Sequence, residues 1–404
     1  MASTLQSVVS VFANANYFKS ALIGVSIAFQ VLAFAFLIPS AFTLRIIQST
    51  WATAVEVLAG LISLIGLWIH GGSGYHTYII PQVGLTILLL VRQSLGLYIH
   101  QKQKVHSGYV LEYLDRSYTI ATMALFALGW YHVTAGSLES VGIRENYYNT
   151  LSHAVLLVLV MSEGLLLLSF AAGLWPNQRS LTPDYYDSVL LLACGLVMIV
   201  VLIVGYHADE DWHFFLGRLE HSSYTLMVLC GAAASLMISK RKGHHTKRNL
   251  IPALIIVVLG ILFTSHHQEA MLGKKIHEVF GYTMVVAATF RIVEILVIPD
   301  WTVKPSTDVH SNLPYVTPMV AVILSFVAFG SSRDLCQAIE GTGFMAPAYV
   351  AILYTCGLFY FCFLTALMHR IRDHWYPDGS DGKHEYSSLP EVQSDRFGCD
   401  QNWD

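Results

Sequence analysis

An all-α, polytopic transmembrane helix bundle of about eleven membrane-spanning helices, N-terminus outside and C-terminus cytosolic, is the fold class this sequence predicts. Three observations predict it. The 404-residue chain is 54% hydrophobic, only 12% charged and has a mean hydropathy of +0.54, whereas soluble chains carry about 25% charge. Eleven apolar stretches approach the ~20 residues that a helix needs to cross a bilayer. Threading the chain through eleven spans leaves 15 Lys and Arg in the loops and tail of one side against 6 on the other, and positive charge is retained in the cytosol.

In chain order the stretches are Leu22 to Leu44, Trp51 to Ile69, Tyr78 to Tyr98, Tyr118 to Leu138, Leu151 to Leu174, Ser188 to Tyr206, Leu219 to Ile238, Leu250 to Thr264, Gly281 to Ile298, Tyr315 to Gly330 and Ala346 to Ala366. Pro318 interrupts the tenth and makes it the weakest. Turn-forming, polar residues after His369 predict a disordered cytosolic tail. This divides the chain into an N-terminal bundle (1–140), a His-rich membrane domain (141–370) and the tail (371–404). Location follows: a multi-pass protein of the endomembrane system or plasma membrane, its surroundings lipid.

Composition also excludes. A net charge of −4 with one short basic run, Ser239 to Arg248, gives no surface for nucleic acid. The six cysteines form neither a disulfide pattern nor a CxxC. The N-terminus lacks the basic segment of a signal peptide. No GxSxG, HExxH or Walker-type motif supports hydrolysis or nucleotide use.

Histidine carries the chemical signal. Two polar patches, YHADEDWHFFLGRLEH and TSHHQEAMLGKKIHEVFGY, bracket the seventh and eighth stretches and hold six of the 18 histidines. The apolar run Tyr224 to Ile238 is 15 residues, about 22 Å of helix against a hydrocarbon core of roughly 30 Å. The seventh helix should therefore extend backward through Glu220 and His221, and the eighth forward into His266 and His267. An antiparallel pair closed by the basic loop brings both patches to the outer side. His207, Asp211, His213, His221, His266, His267, Glu269 and His277 form the candidate metal set, since imidazoles backed by carboxylates suit Zn, Fe or Cu. Interfacial hydrogen bonding is the alternative for each residue singly.

The N-terminal half offers another geometry. His76 opens the third stretch and His132 lies late in the antiparallel fourth, so the two imidazoles are candidate axial ligands of a b-type haem, with His70 and His153 as alternative partners. Charges inside the stretches are Glu56, Arg92, Glu163, Arg291 and Glu294. Glu56 and Arg92 sit at matching depth on neighbouring helices, and Arg291 and Glu294 are spaced i, i+3. Glu163, mid-helix, has no basic partner at its depth and is either protonated, bonded to Ser162 or Ser169, or part of a proton path.

The segments HADEDWHFFLGRLEHSSY and SHHQEAMLGKKIHEVFGYTMVVAATFRIVEI resemble the fungal Ytp-type (YTP1-like) multi-pass membrane proteins, with their His-rich segments and a helix ending in R-x-x-E. The region Trp51 to Ser137, with YHTYIIPQVGLTILLLVRQSLGLYIH, is similar to their amino-terminal part, which itself resembles ascorbate-reducible b-type cytochromes. In that pattern a histidine opens the helix, as His76 does ahead of Gln93 to Leu97. This chain departs from the pattern in having Asp115 and Arg116, and no histidine, at the start of the fourth stretch. The resemblance implies an architecture and a redox ancestry. The leading functional expectation is binding of a metal ion or haem at the outer face, with electron or metal-ion transfer. A metal-dependent membrane hydrolase, or a transporter or pH-responsive scaffold, are the alternatives.

Overall fold

The computed structural model describes residues 25–47, 49, 51–72, 79–102, 147–174, 182–206, 212–239, 248–265, 270–298, 308–341 and 343–375, and helical positions 114, 117–122, 124–125, 128–130 and 132. Among them there is no strand. The helices are α1 (Val25–Ile46), α2 (Ala52–Gly72), α3 (Ile79–Lys102), α4 (Tyr147–Ala171), α5 (Pro183–Tyr206), α6 (Trp212–Ser239), α7 (Ile251–Thr264), α8 (Met271–Val297), α9 (Asp308–Gly330), α10 (Arg333–Glu340) and α11 (Ala346–Trp375). The described residues of the predicted stretches are helical apart from a few at stretch ends. Seven helices are long and apolar enough to cross a membrane, and Ala52–Leu67, Val83–Gly96 and Ile251–Thr264 are shorter apolar helices. The tail beyond 375, the loop 240–247, and His76, His207, Asp211, His266, His267 and Glu269 lie outside the described residues, and His70 lies in α2 with its side chain outside the described set.

The stretch weakest in the sequence is the centre of the fold. α9 runs unbroken through Pro314 and Pro318 and is the most buried candidate span, at 61%. It packs against α4, α8 and α11. Ile276, Phe280 and Met284 of α8 meet Ile323, Leu324 and Val327 of α9 and Tyr349 and Leu353 of α11 in one core cluster. Leu226, Met237, Leu296 and Phe359 instead point outward. In lipid such a face costs nothing, and helices associate by close packing and hydrogen bonding rather than by excluding water.

Close packing is tightest between α7 and α8. A Cβ on Gly260 would stand 2.7 Å from the carbonyl oxygen of Gly281, and one on Gly281 would collide with the carbonyl of Gly260. Only glycine on both helices lets the backbones approach this far. α7 ends at Thr264, where Ser265 turns back to the Leu262 carbonyl. Its 14 residues span about 21 Å, and His266 and His267, into which the sequence carries this helix, lie outside the described residues. α6 does extend backward through Glu220 and His221.

α1 shows how a proline is accommodated. Pro39 has no N–H to offer the Ala35 carbonyl, a π-helical turn occupies Leu32–Leu37, and the Tyr360 hydroxyl of α11 donates to that carbonyl at 3.2 Å. A freed backbone acceptor becomes a contact between helices.

Between α2 and α3 the predicted buried pair is present. Arg92 Nη1 stands 3.2 Å from Glu56 Oε1, and both side chains are buried. Tyr118 donates to the same oxygen at 3.0 Å and accepts from Arg92 Nη2 at 2.7 Å, while Arg92 Nε donates to Thr122 at 2.9 Å. The guanidiniums of Arg45 and Arg92 both lie over the Tyr118 ring. Removing one member of a buried pair strands the other, at a cost of about 3–5 kcal/mol. Glu56→Ala and Arg92→Ala should each lower the unfolding temperature of the purified protein, and the double substitution should cost much less than their sum. Additive losses would mean that the two side chains do not meet.

Candidate functional site

Helices α4 to α9 form a ring of six whose two ends differ in chemistry. At one end α5 begins with Pro183, well suited to a first helical position, followed by Asp184 and Asp187 at i, i+3 on one face. Both carboxylates are buried because Arg291 and Arg248 meet them. Arg291 Nη2 donates to Asp184 Oδ1 and Asp187 Oδ2, each at 2.8 Å, and Nη1 to Glu294 Oε1 at 2.6 Å. Arg248 Nε donates to Asp184 Oδ2 at 2.7 Å, Nη2 reaches Glu294 Oε1 at 3.4 Å, and Nη1 caps the end of α8 through the Ile298 carbonyl at 2.9 Å. Thr317 of α9 adds a bond to Glu294 Oε2 at 3.4 Å. Next to this network the Asn249 amide ties together Ser235 and Ser239 of α6. Three carboxylates and two guanidiniums thus join α5, α7, α8 and α9 at what is here called the arginine end.

The opposite, histidine end carries His153, His221 and His277. His153 Nδ1 lies 2.9 Å from the Ala328 carbonyl of α9 and 3.2 Å from the Ser331 hydroxyl. His277 Nδ1 lies 2.9 Å from the Gly273 carbonyl of its own helix. A carbonyl only accepts, so in each neutral ring Nδ1 holds the proton and Nε2 the lone pair. The two rings meet edge to face with centroids 5.8 Å apart.

A cavity of about 220 Å³ joins the two ends. His153, His221 and His277 line it at one end, Glu163, Asp187, Arg291 and Thr317 at the other, with Leu156, Leu191, Phe280 and Met284 among the walls between. It is smaller than the roughly 300–1,000 Å³ of a drug-sized ligand site, and suits a small solute or ion. Glu163 and Asp187 both line it, while Ser162 and Ser169, one of the three possibilities the sequence left open for Glu163, donate to the carbonyls of Val158 and Leu166.

The sequence-predicted metal set is only partly in view. His221 and His277 line the cavity, while His213 lies in the first turn of α6 with its side chain outside the described set. No three His, Cys, Asp or Glu among the described residues are gathered closely enough to hold a metal ion. His132, the haem candidate, is fully buried, and its expected partner His76 is outside the described residues. Asp184, Asp187 and Arg248 were missed by sequence reasoning because they stand outside the apolar runs. The Thr-Pro-Asp helix start was the available signal.

A family model described as "Protein YTP1-like, C-terminal" matches residues 128–372, more than half of the chain and all six cavity helices. The chain belongs to the YTP1-like family. Among its relatives, Protein YTP1 of Saccharomyces cerevisiae is 23% identical over 177 residues, 44% of this chain and 36% of that protein. An uncharacterized membrane protein of Schizosaccharomyces pombe is 22% identical over 209 residues, 43% of this chain and 39% of its own length. This YTP1-like chain therefore matches under two fifths of the length of each. No solved structure matches it. The family match begins at residue 128, so most of Trp51 to Ser137, where the sequence leads us to expect a cytochrome-like region, lies outside it.

Arg291 is the residue on which the arginine end turns. Replacing it by Gln leaves Asp187 without a countercharge and Asp184 and Glu294 with Arg248 alone, a loss of about 3–5 kcal/mol, read as a fall in unfolding temperature. Lysine should restore only part of it, since an ammonium lacks the planar fork that serves three carboxylates. Native-like melting of Arg291→Gln would show that the network does not hold the ring.

Proposed function

We propose that this YTP1-like membrane protein moves a small cation, a transition-metal ion of the Zn, Fe or Cu type, through the cavity between α4 and α9. Imidazoles at the histidine end take up the ion and the carboxyl groups toward the arginine end receive it. One observation supports the reading above others: a single cavity connects three imidazoles to a pair of carboxyl groups inside helices that are otherwise apolar. Intramembrane ionisable groups facing a cavity mark ion and proton pathways. With fewer than three ligands gathered at any described point, such a path passes an ion along rather than keeping it. His207, Asp211, His266, His267 and Glu269, in the chain segments that join α5 to α6 and α7 to α8, and His213 in the first turn of α6 are further ligands for the ion in this reading. The histidine end faces outward and the C-terminus is cytosolic, as the basic residues distribute across about eleven spans.

The test is uptake into liposomes carrying the purified protein and an internal metal-sensitive dye. Native protein should fill the vesicles with zinc, and His153→Ala, His221→Ala or His277→Ala should slow filling by roughly 10- to 100-fold, the usual effect of weakening a metal's support. A dye that stays dark with native protein, or equal rates in all variants, would overturn the reading. An absorption spectrum of the same sample checks the rival at His76 and His132: a Soret band lost in His132→Ala would put haem in its place.

A further inference from the structure

Two polar atoms are left over at the arginine end. Arg291 and Asp187 are each 5% exposed, and both line the cavity. The guanidinium donates through Nη1 to Glu294 and through Nη2 to Asp184 and Asp187, yet its Nε–H meets no acceptor among the described residues. Asp187 accepts from Arg291 at Oδ2, and its Oδ1 receives no hydrogen bond among the described residues either. An unmet donor and an unmet acceptor therefore stand on two side chains that are already paired at 2.8 Å. Leaving a buried polar group without a partner is costly, and one guest group that meets both atoms removes that cost at both.

The nature of the group follows from what each candidate can do. An ammonium only donates, and would set its N–H against that of Arg291. A carboxylate or a ketone only accepts, and would set its oxygen against that of Asp187. A hydroxyl does both: its oxygen takes the Nε–H and its proton goes to Oδ1. Water has the same two capacities, but the space beyond is apolar. Leu156, Leu191, Phe280 and Met284 are among its walls, and apolar cavities stay dry and take apolar guests. A cavity of roughly 150 Å³ lined by such residues holds benzene. This one measures about 220 Å³, which suits a ring with a short arm, about nine non-hydrogen atoms in all.

We propose that the cavity binds a small apolar alcohol of the size of phenethyl alcohol, its hydroxyl between Arg291 Nε and Asp187 Oδ1 and its hydrocarbon body among the walls of α4, α5 and α8. The site needs neither a metal nor a change of protonation, so it stands apart from the movement of a cation.

The test uses the full chain in metal-free lipid nanodiscs with tritiated phenethyl alcohol, and empty nanodiscs to subtract what dissolves in lipid. Native protein should bind the label saturably, and unlabelled alcohol should displace it. Propylbenzene has the same shape with a methyl group in place of the hydroxyl. It should displace the label at least about 10-fold less well, because it leaves both polar atoms unmet. Leu191→Trp, which fills the apolar wall and keeps Arg291 and Asp187, should lose binding. Native protein that binds no label overturns the proposal, since water alone then meets the two atoms. Equal displacement by propylbenzene overturns it by removing the role of the hydroxyl, and native binding by Leu191→Trp overturns it by removing the cavity. No readout involves metal, so the alcohol can bind where zinc uptake fails, and the reverse.

Discussion

Arg291 is bound by Asp184, Asp187 and Glu294 at 2.8 Å or less, and much of the C-terminal bundle depends on that interaction. A guanidinium in a lipid-embedded bundle must be paired, and this one is paired across α5 and within α8. Arg248 carries the same network to the start of α7, and Thr317 to α9. The network fixes one end of the ring, so the helices are free to part above it without losing their alignment. The cavity occupies that parted region. At the far end the helices are drawn together again by His153 bonded to α9 and by its ring contact with His277.

The chemistry of the cavity is a consequence of how the fold satisfies its polar groups. His153 and His277 spend their Nδ1 protons on backbone carbonyls, which sets both tautomers. Asp187 gives one oxygen to Arg291, and its other oxygen is buried without a protein donor among the described residues.

Helix content and membrane insertion were legible because twenty-residue apolar runs are a one-dimensional signal. The Glu56–Arg92 and Arg291–Glu294 pairs were legible too, since depth in a known span can be counted from its ends. Less could be read where two segments far apart in sequence meet. Asp184 and Asp187 looked like loop residues until Arg291, over one hundred positions later, gave them a partner. Pro314 and Pro318 argued against α9, yet α9 is the most buried span, because neighbouring helices in a bundle compensate what proline removes.

The central claim is that the cavity, rather than the loops or the tail, is where a cation dwells. An anomalous-difference map from crystals of the full chain grown with zinc tests it most directly. The account predicts density inside the ring of α4 to α9, beside His153 and His277 or beside Glu163 and Asp187. Density confined to the basic loop at 240–247 or to the tail beyond 375, with none in the cavity, would contradict it.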